Sequence, residues 1–159
     1  MKIVVFADSH KDVKTMEAVI KKEKPQTVIH LGDHITDGKR LQKIFPDLRI
    51  EMVPGNTDAV TGYPSDKIIE WNGKRIFITH GDRYDVNFGL ARLFFKGLSE
   101  KADIILFGHT HSPLLEHPED HVWVMNPGSI RASGNSASYG IILLKNDKVY
   151  CSISDDISK

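Results

Sequence analysis

The chain has 159 residues, enough to bury the core of one domain. It is 40% hydrophobic and 26% charged, close to an average globular composition, and its 21 basic and 21 acidic residues cancel. This balance leaves no overall field to hold a long nucleic acid. A single cysteine, Cys151, excludes an internal disulfide or a thiolate cluster, and no stretch approaches the roughly 20 apolar residues of a membrane span.

Lys2 to Ala7 is an apolar run that reads as a buried first strand and ends in Asp8-Ser9-His10. It is too short for a signal peptide and is cut off by Asp8, so a cytoplasmic location is the default expectation. Asp12 is placed to cap a helix through about Lys24, with Val13, Met16, Val19 and Ile20 as its core stripe, and Pro25 stops it. Thr27 to Leu31 is a second strand ending in Gly32-Asp33-His34. Asp37 starts a short helix with Leu41, Ile44 and Phe45, and Pro46 ends it. Arg49 to Val53 is a third strand, followed by Pro54-Gly55-Asn56-Thr57-Asp58. Three strand–turn–helix units in series predict a parallel sheet.

The pattern then changes. Lys67 to Trp71, Asn72-Gly73 and Arg75 to Thr79 form a strong hairpin pattern that runs into His80-Gly81-Asp82. Asp85 to Ser99 is read as an amphipathic helix, with Phe88, Ala91, Leu93, Phe94, Phe95 and Leu98 on one side. Ile104 to Phe107 is a strand ending in Gly108-His109-Thr110-His111. Pro113 to His117 and a strand from His121 to Met125 follow, leading into Asn126-Pro127-Gly128-Ser129. Tyr139 to Lys145 and Lys148 to Ile153, joined by Asn146-Asp147, close the chain as another hairpin. No repeat or linker interrupts the pattern, so one domain spanning residues 1–159 is expected.

The residues just past each predicted strand are Asp8 and His10, Asp33, Asn56, His80, and His109 and His111. Open sheets place their sites beyond the carboxyl ends of strands, where loops converge. Each of these has an ordinary alternative: a cap for Asp8, a turn for Asp33, left-handed backbone at Asn56, a hairpin end at His80. Taken together, five strand ends carry oxygen or imidazole donors and no sulfur. Seven donors are too many for one ion and suit two ions about 3.5–4 Å apart sharing a carboxylate, as used for in-line displacement at phosphorus.

The ordered set Asp8-x-His10, Gly32-Asp33, Gly55-Asn56, His80-Gly81 and Gly108-His109-x-His111 resembles the calcineurin-like metallophosphoesterase family. The chain's small size and its Asn126-Pro127-Gly128-Ser129 stretch are similar to the compact bacterial and archaeal phosphodiesterase branch. The resemblance implies an α/β fold, a four-layer αββα sandwich of two mixed β-sheets flanked by helices. It also implies one divalent ion on Asp8, His10, Asp33 and His111, and a second on Asp33, Asn56, His80 and His109. Manganese is the expected activator, with Fe, Zn, Ni or Co fitting the same donors. A hydroxide shared by the ions would then attack a small phosphoester, with Asp33, Asn56 and His80 at the catalytic centre.

The chain departs from the family pattern at two places. Thr57 stands where many relatives carry a histidine after Gly-Asn, so either good leaving groups are favoured or another acid such as His34 substitutes. His34 is read equally as a support of the Asp33 turn. Asp82 stands where relatives often have a second histidine. Arg131 and Thr57 are the candidate substrate contacts, with Arg83 and Tyr84 weaker ones. Asp58 is read either as a turn residue or as an outer support for a ligand histidine. His30 is read as a satisfied core residue, and His117 and His121 as loop residues. Alternative readings are a phosphomonoesterase or nucleotide phosphatase, and a non-catalytic interaction scaffold of the same fold. Homo-oligomerisation is compatible with the sequence.

Overall fold

The computed structural model describes residues 1–59, 62–118, 122–131 and 136–157. Strands β1 (Lys2–Phe6), β2 (Thr27–His30) and β3 (Arg49–Met52) pair in parallel, with Val4 opposite Val28 and Val28 opposite Ile50. The hairpin β9 (Tyr139–Lys145) and β10 (Lys148–Ser154) adds antiparallel to β1, giving the order β10-β9-β1-β2-β3. A second five-stranded sheet has the order β4-β5-β6-β8-β7, from β4 (Asp66–Trp71), β5 (Lys74–Thr79), β6 (Ile104–Leu106), β7 (Leu114–Glu116) and β8 (Trp123–Asn126). Strands β5, β6 and β8 are parallel, and β4 and β7 flank them antiparallel.

Alternation along the strands builds the layers, because successive side chains leave opposite faces. Ile3, Val5, Ile29, Leu31 and Val53 pack against Ile76, Ile78, Ile104, Leu106 and Met125 between the sheets. The intervening Val4, Phe6, Val28, Ile50 and Met52 face α1 (Val13–Glu23) and α2 (Ile35–Ile44). On the other outer face Phe77, Ile105, Phe107 and Val124 meet α3 (Ala91–Ser99). The expected four layers are present. Cys151 is buried at the edge of the central layer, and burial pushes its thiol up to about 12, which leaves it a packing residue.

Four local expectations need correction. Helix α2 starts at Ile35 and not at Asp37, because the Ile35 amide is capped by Asp58 Oδ1 at 2.9 Å from the loop after β3. The segment from Asp85 to Ser99 is not one helix. A 3₁₀ turn covers Asp82–Tyr84, and α3 begins only at Ala91. The face of α3 is also narrower than expected. Leu93 and Gly97 are buried with Leu90 and Phe94 beside them, whereas Phe88 is 92% and Phe95 69% exposed. Gly97 lies against Ile105, and this close approach selects the Leu90–Leu93–Phe94–Gly97 stripe. The strand expected from His121 is seen from Trp123, and His121 itself lies outside the described residues. His117 stacks on Trp123, with ring centroids 4.0 Å apart.

Candidate metal centre

The ends of β1, β2, β3, β5 and β6 converge at one rim, and the structure brings all seven expected donors together there. Asp8, His10, Asp33 and His111 each offer one donor atom within 4.8 Å of the others. His111 Nε2 is 3.3 Å from Asp8 Oδ1, and His10 Nε2 is 3.9 Å from Asp33 Oδ2. Beside them lies a second group. Asn56 Oδ1 is 3.0 Å from both His80 Nε2 and His109 Nδ1, and those two nitrogens are 3.3 Å apart. Asp33 belongs to both groups, since its Oδ1 is 3.4 Å from His80 Nε2.

Backbone geometry aims these side chains. Asp8, His10, Asp33, His109 and His111 all have left-handed φ, between 41° and 70°, which costs a non-glycine residue about 1–3 kcal/mol each. Asn56 is not left-handed, so that ordinary explanation for it does not hold. Nor does Asp8 cap α1, because Asp12 does so by accepting from the Thr15 amide at 3.1 Å. Close approach of the loops needs Gly32 (φ 96°) and Gly55. A Cβ on Gly32 would overlap the Gly55 backbone, and one on Gly55 would overlap the Asp33 carboxylate. Gly55→Ala should therefore weaken divalent-cation affinity by roughly tenfold, an effect of the size seen when a ligand's supports are disturbed. Calorimetric titration with Mn²⁺ checks this, and unchanged affinity would mean that the loops have slack.

The electrostatics is that of a site short of positive charge. Burial pushes the Asp8 carboxyl up to about 7, with His80 pulling it down and Asp33 adding to the rise. Burial acts on Asp33 too, but the field of His80 and hydrogen bonds from Thr57 outweigh it and hold its carboxyl below the ordinary range. Burial lowers His10, opposed by Asp33 and reinforced by His111, His34 and Arg131. Asp8 Oδ1 and His10 Nε2 are buried and have no hydrogen-bond partner among the described residues. His80 Nδ1 donates to the Leu31 carbonyl at 2.7 Å, which turns the lone pair of Nε2 toward Asn56 Oδ1, itself an acceptor. Lone pairs facing lone pairs call for a cation, and the donor set fits divalent ions that accept imidazole and oxygen ligands.

The substrate-side candidates are more dispersed. His34 caps α2 with φ 65°, and its ring stands 5.1 Å from that of His10. His10, Lys11, Asp12, His34 and Arg131 line a cleft of about 540 Å³ beside the first group. A second cleft of about 620 Å³ is lined in part by Gly55, Asp58, Tyr63, Asp82 and Arg83. Thr57 is exposed, and its amide donates to Asp33 Oδ1 at 3.2 Å. Asp58 spans the Ile35 and Gly55 amides, so it braces the turn and touches no ligand histidine through these bonds. Tyr84 reaches away to Asp66 Oδ2 at 2.5 Å. His30 is the satisfied core residue expected, bonded to Ser9 Oγ at 2.9 Å and to the Gly32 amide at 3.2 Å.

Other contributors lie outside the seven expected donors. The Asn87 amide lies 3.0 Å from His109 Nε2, on the side of the ring opposite Asn56. The atom facing the ring is Nδ2, and a cation on Nδ1 would need the amide turned so that its oxygen accepts a proton from Nε2. Asn126 holds the histidine loop by donating to Gly108 O and Thr110 Oγ1, both at 2.9 Å, and Ser129 donates to Asp8 O at 3.0 Å.

Comparisons with known proteins agree with this architecture. Residues 1–148 match the model of the calcineurin-like phosphoesterase superfamily domain. The chain is similar to the probable metallophosphoesterase YsnB of Bacillus subtilis, 27% identical over 152 residues covering 92% of this chain and 86% of that one. Phosphodiesterase YfcE of Escherichia coli K12 is 28% identical over 175 aligned positions, covering 92% and 89%. A crystal structure from Streptococcus pneumoniae TIGR4, described as a predicted phosphoesterase, superposes with a TM-score of 0.78 at 29% identity, covering 96% and 87%.

Proposed function

Because the chain belongs to the calcineurin-like phosphoesterase superfamily, we propose that it is a divalent-metal-dependent phosphodiesterase acting on small phosphodiesters. The observation that carries this reading is the buried Asp8 Oδ1 and His10 Nε2, without a hydrogen-bond partner among the described residues, beside the facing lone pairs of Asn56 Oδ1 and His80 Nε2. In this reading Asp8, His10, Asp33 and His111 hold one ion, and Asp33, Asn56, His80 and His109 the other. Two such ions, manganese in the first instance, supply water activation near neutral pH and neutralise charge on the phosphoryl oxygens.

The chain's own groups do the rest. The Leu31 carbonyl fixes the His80 tautomer, and the His109 amide holds Asp8 through Oδ2 at 3.1 Å. Arg131 and Lys11 offer positive side chains along the cleft, where a phosphate would be gripped. His34 is the imidazole placed to protonate a leaving oxygen, a task the Thr57 hydroxyl cannot perform at neutral pH. The similarity to phosphodiesterase YfcE, 28% identical with 89% of that chain covered, makes diesters the first substrate class to test. The formal net charge of zero agrees with a small substrate better than with a long nucleic acid.

Hydrolysis of bis(p-nitrophenyl) phosphate and p-nitrophenyl phosphate, each with Mn²⁺ and with EDTA, tests the proposal. The diester should be turned over at least about tenfold faster, a barrier difference of ~1.4 kcal/mol, and EDTA should abolish the reaction. A monoester preference would replace the reading with a phosphatase. No turnover with Mn, Fe, Zn, Ni or Co would leave a binding scaffold.

A further inference from the structure

Behind the Asp8–His10 loop lies a buried polar chain that the proposed reaction does not use. Ser9, His30 and Asp37 are all buried. Asp37 Oδ2 accepts from the Lys11 amide at 2.7 Å and from Ser9 Oγ at 2.8 Å. The Gly32 amide donates to His30 Nδ1, so the ring proton sits on Nε2 and points at Ser9 Oγ, 2.9 Å away. Donation therefore runs in one direction, from His30 to Ser9 to Asp37. Both partners of Asp37 Oδ2 are neutral donors, and both belong to the segment that carries Asp8 and His10.

That segment is the part of the rim most in need of a brace. Asp8, His10 and Lys11 have φ of 54°, 41° and 74°, a sparsely populated backbone that persists only where its surroundings over-determine it. Asp37 sits in the first turn of α2, so it ties the loop to a helix docked on the sheet. We propose that Asp37 is a positioning residue that presets Asp8 and His10 for a divalent cation by holding the Lys11 N–H and the Ser9 hydroxyl. The proposal rests on the metal-centre reading above and adds a residue that touches neither ion nor substrate.

Mn²⁺ titration by calorimetry, with melting of the metal-free protein alongside, tests it on wild type, Asp37→Ala and Asp37→Asn. Asp37→Ala should bind the first ion roughly 10–100-fold more weakly. Asp37→Asn, whose amide oxygen can accept both bonds, should restore affinity to within about threefold of wild type. An Asp37→Ala protein that melts lower but binds Mn²⁺ as tightly as wild type would overturn the proposal and leave Asp37 a structural residue only. Should Asp37→Ala fail to fold, Ser9→Ala removes one arm of the clamp and should weaken binding roughly tenfold; unchanged affinity there overturns the proposal equally. Wild-type protein that binds no divalent ion would sink the metal-centre reading itself, and this inference with it.

Discussion

Asp33→Ala should reduce metal-dependent diester hydrolysis by about a thousandfold or more, equivalent to ~4 kcal/mol of barrier, while the fold survives. Its two oxygens face different partners, Oδ2 toward His10 and Oδ1 toward His80, so its loss strips a ligand from both proposed ions. Structural dependence on it is small, because its side chain meets polar neighbours and lies outside the apolar clusters. Removing it also relieves repulsion, since Asp33 contributes to the raised Asp8 carboxyl. Its loss also removes the Thr57 amide bond and the His80 attraction that favour its charge, so the metal-free variant should melt modestly lower than metal-free wild type and still fold. Asp33→Asn should behave similarly, because a neutral amide cannot balance two dications. The checks are kcat/KM for bis(p-nitrophenyl) phosphate, metal content and far-UV circular dichroism. A variant within tenfold of wild type would defeat the proposed function.

Acid should destabilise the protein through His30 by up to about 3 kcal/mol between pH 6.5 and 4, an order-of-magnitude figure from the size of its shift. Burial pushes this histidine from 6.5 down to about 4, opposed by the fields of Asp37 and Asp58. Between those values the unfolded chain takes up a proton that the folded chain refuses. The stability is therefore fully present above pH 6.5 and is lost as pH falls toward 4. His30→Gln keeps a donor for Ser9 but has no titrating group. Urea unfolding at pH 4.5 and 7 should show a smaller pH dependence for this variant than for wild type. Equal pH dependence of the two would mean that His30 is not the group responsible.

Much of this was legible in the sequence because the relevant rules are local. Short apolar-rich runs mark β1 to β6, Asn72-Gly73 marks its hairpin, and aspartate, asparagine and histidine directly after those runs mark the rim. Elements fixed from a distance were not legible. The start of α2 depends on Asp58, 23 residues away from the amide it caps. The buried face of α3 depends on Gly97 meeting Ile105, so the exposed Phe88 and Phe95 looked equally suited to the core. Asn87 acquires its place only when the turn before α3 folds over the loop after β6. Ser9 and Asp37 are indistinguishable in sequence from solvated polar residues, and only tertiary contact makes them a pair.

The rim is assembled across a seam. Asp8, His10, Asp33 and Asn56 are carried by one sheet, whereas His80, His109 and His111 are carried by the other. The thickness of the apolar layer of Ile3, Ile29, Leu31, Ile78 and Leu106 works as a shim that sets how far one set of donors stands from the other. Interiors packed to crystal density transmit strain instead of absorbing it. Adding or trimming a methylene deep in that layer would thus alter the bite of the site, and with it the ionic radius best accommodated, from a position no solute can reach.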